Sequence, residues 1–227
     1  MTQAELDLIK EFTFIAGKGD YNAKQACIMS AAVAKWRVEH GEPLGSATDC
    51  LDCVCPVVRR LAISINDRSW WKDDAERTDV LLPFVDKILD TKNEKLTLRR
   101  AFLCADYACR IFAPNALEVV KKAEWADRLR ALAPVVDIDS AKIAQALCRE
   151  ARAAAAADAD AYAAYAAAAA AAAADAYAYA DADADAAYAA YAAYADAYAA
   201  AAYADAYAKK SNRETCLKLL IELCEMK

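Results

Sequence analysis

From Ala151 to Ala208 the chain uses almost only three residue types: of 58 residues, 39 are Ala, 10 are Tyr and eight are Asp, with a single Arg. Alanine is the best helix former, by roughly 0.5 kcal/mol per residue over Tyr or Asp, and the bias sums over the whole tract. All four Gly and five Pro lie in the first 134 residues, so nothing beyond Pro134 carries a usual stop signal. Disordered low-complexity segments are poor in aromatics and rich in Pro, Gly and Ser, which is the reverse of this composition. The tract therefore reads as helix, about 87 Å long if straight at 1.5 Å per residue. The Asp-rich run Tyr177–Asp185 is the expected bend, because Asp competes for backbone hydrogen bonds.

At 100° per residue, Tyr177, Tyr188, Tyr191, Tyr194 and Tyr198 fall on an arc of roughly 100°, while the Asp residues are spread around the helix. Tyrosine offers a large contact area at low entropic cost and keeps a hydroxyl for specificity. The candidate binding surface is therefore these five tyrosines with Asp181, Asp185 and Asp196. The competing reading is that the rings fill the gap between an alanine helix and its neighbour.

The tract carries eight Asp and no Lys or Glu, and so holds more than the whole net charge of -6. Duplex DNA has one charge per roughly 1.7 Å, several-fold denser than the tract, which excludes DNA mimicry by the tract alone. Lys and Arg are scattered through the rest of the chain rather than massed, so direct nucleic-acid binding is not expected. The longest uncharged alanine run, Ala161–Ala174, is shorter than the roughly 20 apolar residues of a spanning helix. No membrane segment is expected. Nine cysteines, an odd number, with no apolar signal core at the N-terminus, point to reduced thiols and a cytoplasmic protein.

The remaining chain reads as an all-α bundle. Thr2-Gln-Ala-Glu5 has capping-box spacing and predicts a helix to about Ala16, ended by Gly17. A second helix is expected over 22–40, a third from Pro56 to about Ile65, and a fourth over 73–90 bent at Pro83. Leu98, Phe102, Ala105, Cys109 and Phe112 advance by helical steps and mark the clearest core helix. Short helices fill 115–132. Ser211-Asn-Arg-Glu214 is a second capping box, predicting a new final helix with the apolar face Leu217, Leu220, Ile221 and Cys224. The expected organisation is thus a helical bundle over 1–139, an alanine-rich arm or hairpin over 140–210, and a helix over 211–227 packing back on the bundle.

Cys50-Leu-Asp-Cys53-Val-Cys55 brings three thiols into six residues, with Cys104 and Cys109 as further candidates for a metal or cluster site. A second CxxC is missing and the sole His40 stands apart, so buried or loop cysteines are expected and no metal or cofactor is assigned. Asp106 and Arg110 have i,i+4 spacing, an ordinary helix pair. Asn66, Asp67, Trp70 and Trp71 form a polar-aromatic turn that reads first as a loop packed down by its tryptophans. No P-loop, dinucleotide-binding, HExxH or GxSxG motif occurs, and no enzyme is expected.

The stretches Cys53–Val58, Ile65-Asn-Asp67, Asp73–Arg77, Leu82-Pro-Phe84, Thr91, Asp106–Arg110 with Pro114, and Leu129–Leu132 resemble a group of uncharacterised alanine-rich bacterial and phage proteins. In that group a helical N-terminal region leads into a long Ala-rich tract and a short amphipathic C-terminus. The resemblance covers about residues 50 to 227; Ile65 stands where Trp is usual there, and Tyr and Asp replace the common Arg and Trp of the tract. It implies the same architecture, no assigned activity, and a phage or mobile-element role such as inhibiting a host defence complex. The functional expectation is a non-enzymatic protein-binding or self-assembling protein; the alternative is a protein sequestering a nucleotide-like small molecule.

Overall fold

The computed structural model describes residues 8–119, 121–157 and 205–227. The protein is all-α, with strand confined among the described residues to two dipeptides. It divides into two compact units: Met1–Asn93 with Leu220–Glu225, and Glu94–Leu219 with Met226–Lys227. The division at Asn93 falls inside the stretch that the sequence reads as one bundle.

In the first unit a 3-10 turn, Leu8–Glu11, leads into β1 (Thr13–Phe14). This corrects the helix expected up to Ala16. Phe12 and Phe14 are buried while Thr13 between them is exposed, an alternation that suits a strand and not a helix. β1 pairs in parallel with β2 (Gln25–Ala26), in register Thr13 to Gln25. The connection passes so close to β2 that a Cβ on Gly19, whose φ is +81°, would lie 2.5 Å from the Gln25 carbonyl oxygen.

The second expected helix begins later than Asn22. A 3-10 turn at Tyr21–Ala23 and β2 intervene, and α1 spans Ile28–Glu39 with Cys27 as its cap. Asn22 instead donates its amide to Asp20 Oδ1, 2.9 Å away, inside a turn. α2 (Pro56–Asn66) starts at its proline as expected. Asp73 caps α3 (Asp74–Leu81), which a 3-10 turn at Leu82–Phe84 joins to α4 (Val85–Ile88), so the chain bends at Pro83.

In the second unit α5 (Glu94–Tyr107) passes through a π turn, Ala108–Phe112, into α6 (Ala113–Val119). Pro114 has no N–H to continue the ladder, and the Ala113 N–H reaches back to the Ala108 oxygen. Phe102, Ala105, Cys109 and Phe112 are buried, but Leu98 is 43% exposed. The face that α5 buries also takes in Leu96, Arg100, Ala101 and Cys104, which leaves Leu98 at its edge. α7 (Ala123–Arg130) and α8 (Ile138–Ala157) follow, and α8 buries Ala141, Ala144, Gln145, Cys148 and Ala151 at helical spacing.

α9 runs unbroken over Asp205–Glu225, so Ser211–Glu214 stands inside a helix and starts none. The residues before it are good helix formers without a breaker, and the local cap signal is overridden. Its buried face is Asn212, Cys216, Leu219, Leu220 and Leu223, whereas Leu217, Ile221 and Cys224 are partly exposed. Among the described residues no helix is long and apolar enough to cross a membrane.

Candidate functional site

Tyr177, Tyr188, Tyr191, Tyr194, Tyr198, Asp181, Asp185 and Asp196 lie outside the described residues, as does the expected bend at 177–185. The other sequence candidates are all placed.

The polar-aromatic turn is structural. Asn66 is fully buried; its Oδ1 accepts from the Ile28 amide at 3.1 Å and its Nδ2 donates to the Ile15 oxygen at 2.7 Å. It thus satisfies the free N–H at the start of α1 and a carbonyl beyond β1. Asp67 Oδ1 accepts from Asn66 Nδ2 and from the Gly17 amide, and Trp71 Nε1 donates to the Ile65 and Asn66 carbonyls. Apart from the Asn66–Asp67 side-chain bond, each of these bonds joins a side chain to main chain, and Trp71 is buried. The same unit repeats the device at Thr78, which accepts from the Phe14 amide at 2.7 Å, and at Arg77, which donates to the Phe14 oxygen.

Asp106 and Arg110 form the expected pair, at 3.0 Å across the π turn. Asp106 Oδ1 also accepts from the Val135 amide at 2.8 Å, tying the Pro134–Val136 loop to α5. A depression of about 180 Å³ beside this tie is lined by Arg99, Phe102, Leu103, Val136 and Met226, among others. A second, of about 290 Å³, lies in the first unit between the Lys18–Asn22 turn and Gly45–Ala47. The first falls below the roughly 300–1,000 Å³ typical of small-molecule pockets, and the second lies at the lower edge of that range. On the second, Tyr21 donates its hydroxyl to the Ser30 oxygen at 2.7 Å and stacks on Phe12; burial pushes its pKa up to about 12.

The cysteines separate by environment. Cys27, Cys55, Cys104, Cys109, Cys148 and Cys216 are buried, Cys53 and Cys224 are half-buried, and Cys50 is exposed. The hydrogen bond to Cys148, followed by burial, pushes the Cys109 thiol well up. Cys55 stands at the N-cap position of α2 with no side-chain cap hydrogen bond, and its amide donates to Thr91 Oγ1 at 3.1 Å. Among the described residues, no three His, Cys, Asp or Glu side chains are grouped so as to hold a metal ion. The contact that sequence reasoning missed is Arg59, whose Nη1 donates to Cys50 Sγ at 3.4 Å. Nine residues separate the two across a loop and a helix start, so no periodicity links them. His40 stacks on Trp36, with Nδ1 2.7 Å from the Trp36 oxygen at the end of α1.

No protein-family model matches the chain, and neither a curated protein nor a solved structure does.

Proposed function

We propose that the protein is a non-enzymatic binding or assembly protein that uses its alanine-tyrosine-aspartate tract as the contact surface. The reading is supported by the two borders of the tract. Ala151–Ala157 completes α8 and Asp205–Ala208 opens α9, and each of these helices has a buried face. Helix therefore enters the tract from both borders, and the nine tyrosines of the intervening sequence are its bulky residues, the ones we assign to partner contact. The polar groups placed in the described residues support the reading from the other side. Asn66, Asp67, Thr78, Thr91 and Asp106 all hold main chain. The occupant of the surface is a protein: a second copy of the chain or a complex of the host cell, as the resemblance to phage and bacterial alanine-rich proteins implies.

The test is quantitative capture from host lysate together with sedimentation of the purified chain. Replacing Tyr188, Tyr191 and Tyr194 together by Ala lowers recovery of the stoichiometric partner, or the self-association constant, by about tenfold or more, the scale of lost aromatic hot spots. Undiminished recovery and unchanged sedimentation would reject the surface.

A further inference from the structure

The loop that enters α2 carries chemistry the binding reading leaves aside. Of the nine cysteines, Cys50 is the exposed one, and a half-buried thiol, Cys53, stands three residues along. The Val54 amide donates to the Leu51 carbonyl at 3.1 Å, a turn that folds the chain back between the two cysteines. The Cys53 side of the turn is clamped. Its carbonyl accepts from the Lys92 amide at 2.9 Å, and two residues on the Cys55 amide donates to Thr91 Oγ1, which itself donates to the Ile88 carbonyl. On the Cys50 side the amide donates to Thr48 Oγ1 at 3.3 Å, and the sulfur is met by the Arg59 guanidinium, with Nη1 at 3.4 Å.

We propose that Cys50 and Cys53 form a thiol–disulfide exchange site, with Cys50 the attacking sulfur, Cys53 the resolving one, Arg59 the positioning residue and a low-molecular-weight disulfide the reactant. In the first step Cys50, as the thiolate, attacks one sulfur of the reagent; a Cys50–reagent disulfide forms, the reagent S–S bond breaks, and one reagent thiolate leaves. In the second, the Cys53 sulfur attacks Cys50, the Cys50–Cys53 bond forms, and the second reagent thiolate leaves. The two protons of the cysteines end on the two reagent thiols. The protein dithiol is oxidised by two electrons and the reagent disulfide is reduced by two, so no further oxidant is needed.

The division of roles follows from placement. Attack needs access and the thiolate form, and Cys50 is the accessible sulfur. Burial first, and then the neighbouring Asp90 carboxylate, hold the Cys53 thiol above its ordinary value, which suits the resolving and not the attacking role. The six buried cysteines are shielded from a solute disulfide and Cys224 is half-buried, so Cys50 is the sulfur that reacts first. Because the backbone bonds clamp the Cys53 side, closing the disulfide draws Cys50 off Arg59 toward Cys53.

The experiment is incubation of the folded, full-length, reduced chain with oxidised glutathione, followed by acid quenching and peptide mapping. The expected product is a Cys50–Cys53 disulfide with no retained glutathione. Cys53→Ser is expected to stop at one glutathione on Cys50, and Cys50→Ser to leave Cys53 a thiol over the same period. Arg59→Gln slows capture about fivefold, the scale of one exposed charge interaction, and Arg59→Lys retains most of the rate. First modification at any other cysteine, or a Cys50–glutathione adduct in the unsubstituted chain that Cys53 never displaces, would overturn the proposal. The mapping of the unsubstituted chain decides by itself, so a misfolded variant cannot shelter the idea.

Discussion

The two compact units are held together in different ways. In the first, the main chain is irregular over much of its length: a two-strand parallel pair, 3-10 turns and a loop from His40 to Cys55. Backbone groups in such segments have no helical partner, and burial makes an unpaired one costly. Particular side chains therefore do the pairing, with Asn66, Asp67, Thr78 and Thr91 each bonded to main chain far away in sequence. In the second unit the helices satisfy their own backbones, and the buried surface is rich in small residues: Ala101, Ala105, Ala108, Ala113, Ala141 and Ala144. Alanine lets helices approach closely but removes little apolar area from water. The first unit should thus be brittle at a few positions, and the second tolerant at most.

Asn66 is where that contrast breaks hardest. Asn66→Ala leaves the Ile28 amide and the Ile15 carbonyl without their partner and is expected to lower the stability of the first unit by about 3–5 kcal/mol. Chemical unfolding followed by tryptophan fluorescence reads this directly, since Trp36, Trp70 and Trp71 lie in the first unit and only Trp125 in the second. Asn66→Asp keeps an acceptor for Ile28 but loses the donor to Ile15, so it should recover little. A loss below about 1 kcal/mol for the alanine variant would show that the node is not what closes the unit.

The counterpart in the second unit is Asp106, and its cost should be smaller. Asp106→Ala removes both the Arg110 pair and the acceptor for the Val135 amide, at about 2 kcal/mol, while Asp106→Asn keeps the acceptor and costs about 1 kcal/mol. Helical circular dichroism at 222 nm on denaturant titration measures both. Equal losses would mean that the ion pair dominates and that the tie to Val135 contributes nothing.

How far the sequence foretold these arrangements depended on the range of the interaction involved. Pro56, Pro83 and Gly41 punctuate the chain where local rules place them, and the Asp106–Arg110 pair follows from helix spacing alone. Phe12-Thr-Phe14 reads as helix in the sequence because the alternation is only three residues long and its strand partner lies twelve residues away. The Ser211 box failed for the opposite reason: its spacing is right, but a cap forms only where the helix has not already begun. Leu98 and Leu217 show the limit of apolar spacing, which finds a helix but not the direction in which its face is turned. In the Cys50 loop, the CxxC thiols stand out in the sequence, but their exposure and the Arg59 contact do not, because both arise from how the loop lies against α2 and the Asp90–Lys92 turn.

The gentlest probe of the contrast is titration at high pH. Tyr21 donates to the Ser30 carbonyl, in the first turn of α1, and burial raises its pKa from 10.0 to about 12. The protonated form is the one that the fold favours, so the contribution is fully present below pH 10 and is lost as pH rises through about 12. Tyr21→Phe removes the hydroxyl and its hydrogen bond to the Ser30 carbonyl, costing about 1 kcal/mol at neutral pH. It should also flatten the decline in stability between pH 10 and 12, with the other tyrosines cancelling in the difference between the two proteins. The effect belongs to the first unit alone, since Tyr21 and Ser30 both lie in it. Parallel alkaline curves for the variant and the unsubstituted chain would show that the phenol ionises without disturbing the fold, and that this corner of the unit is less tightly closed than its backbone bonding implies.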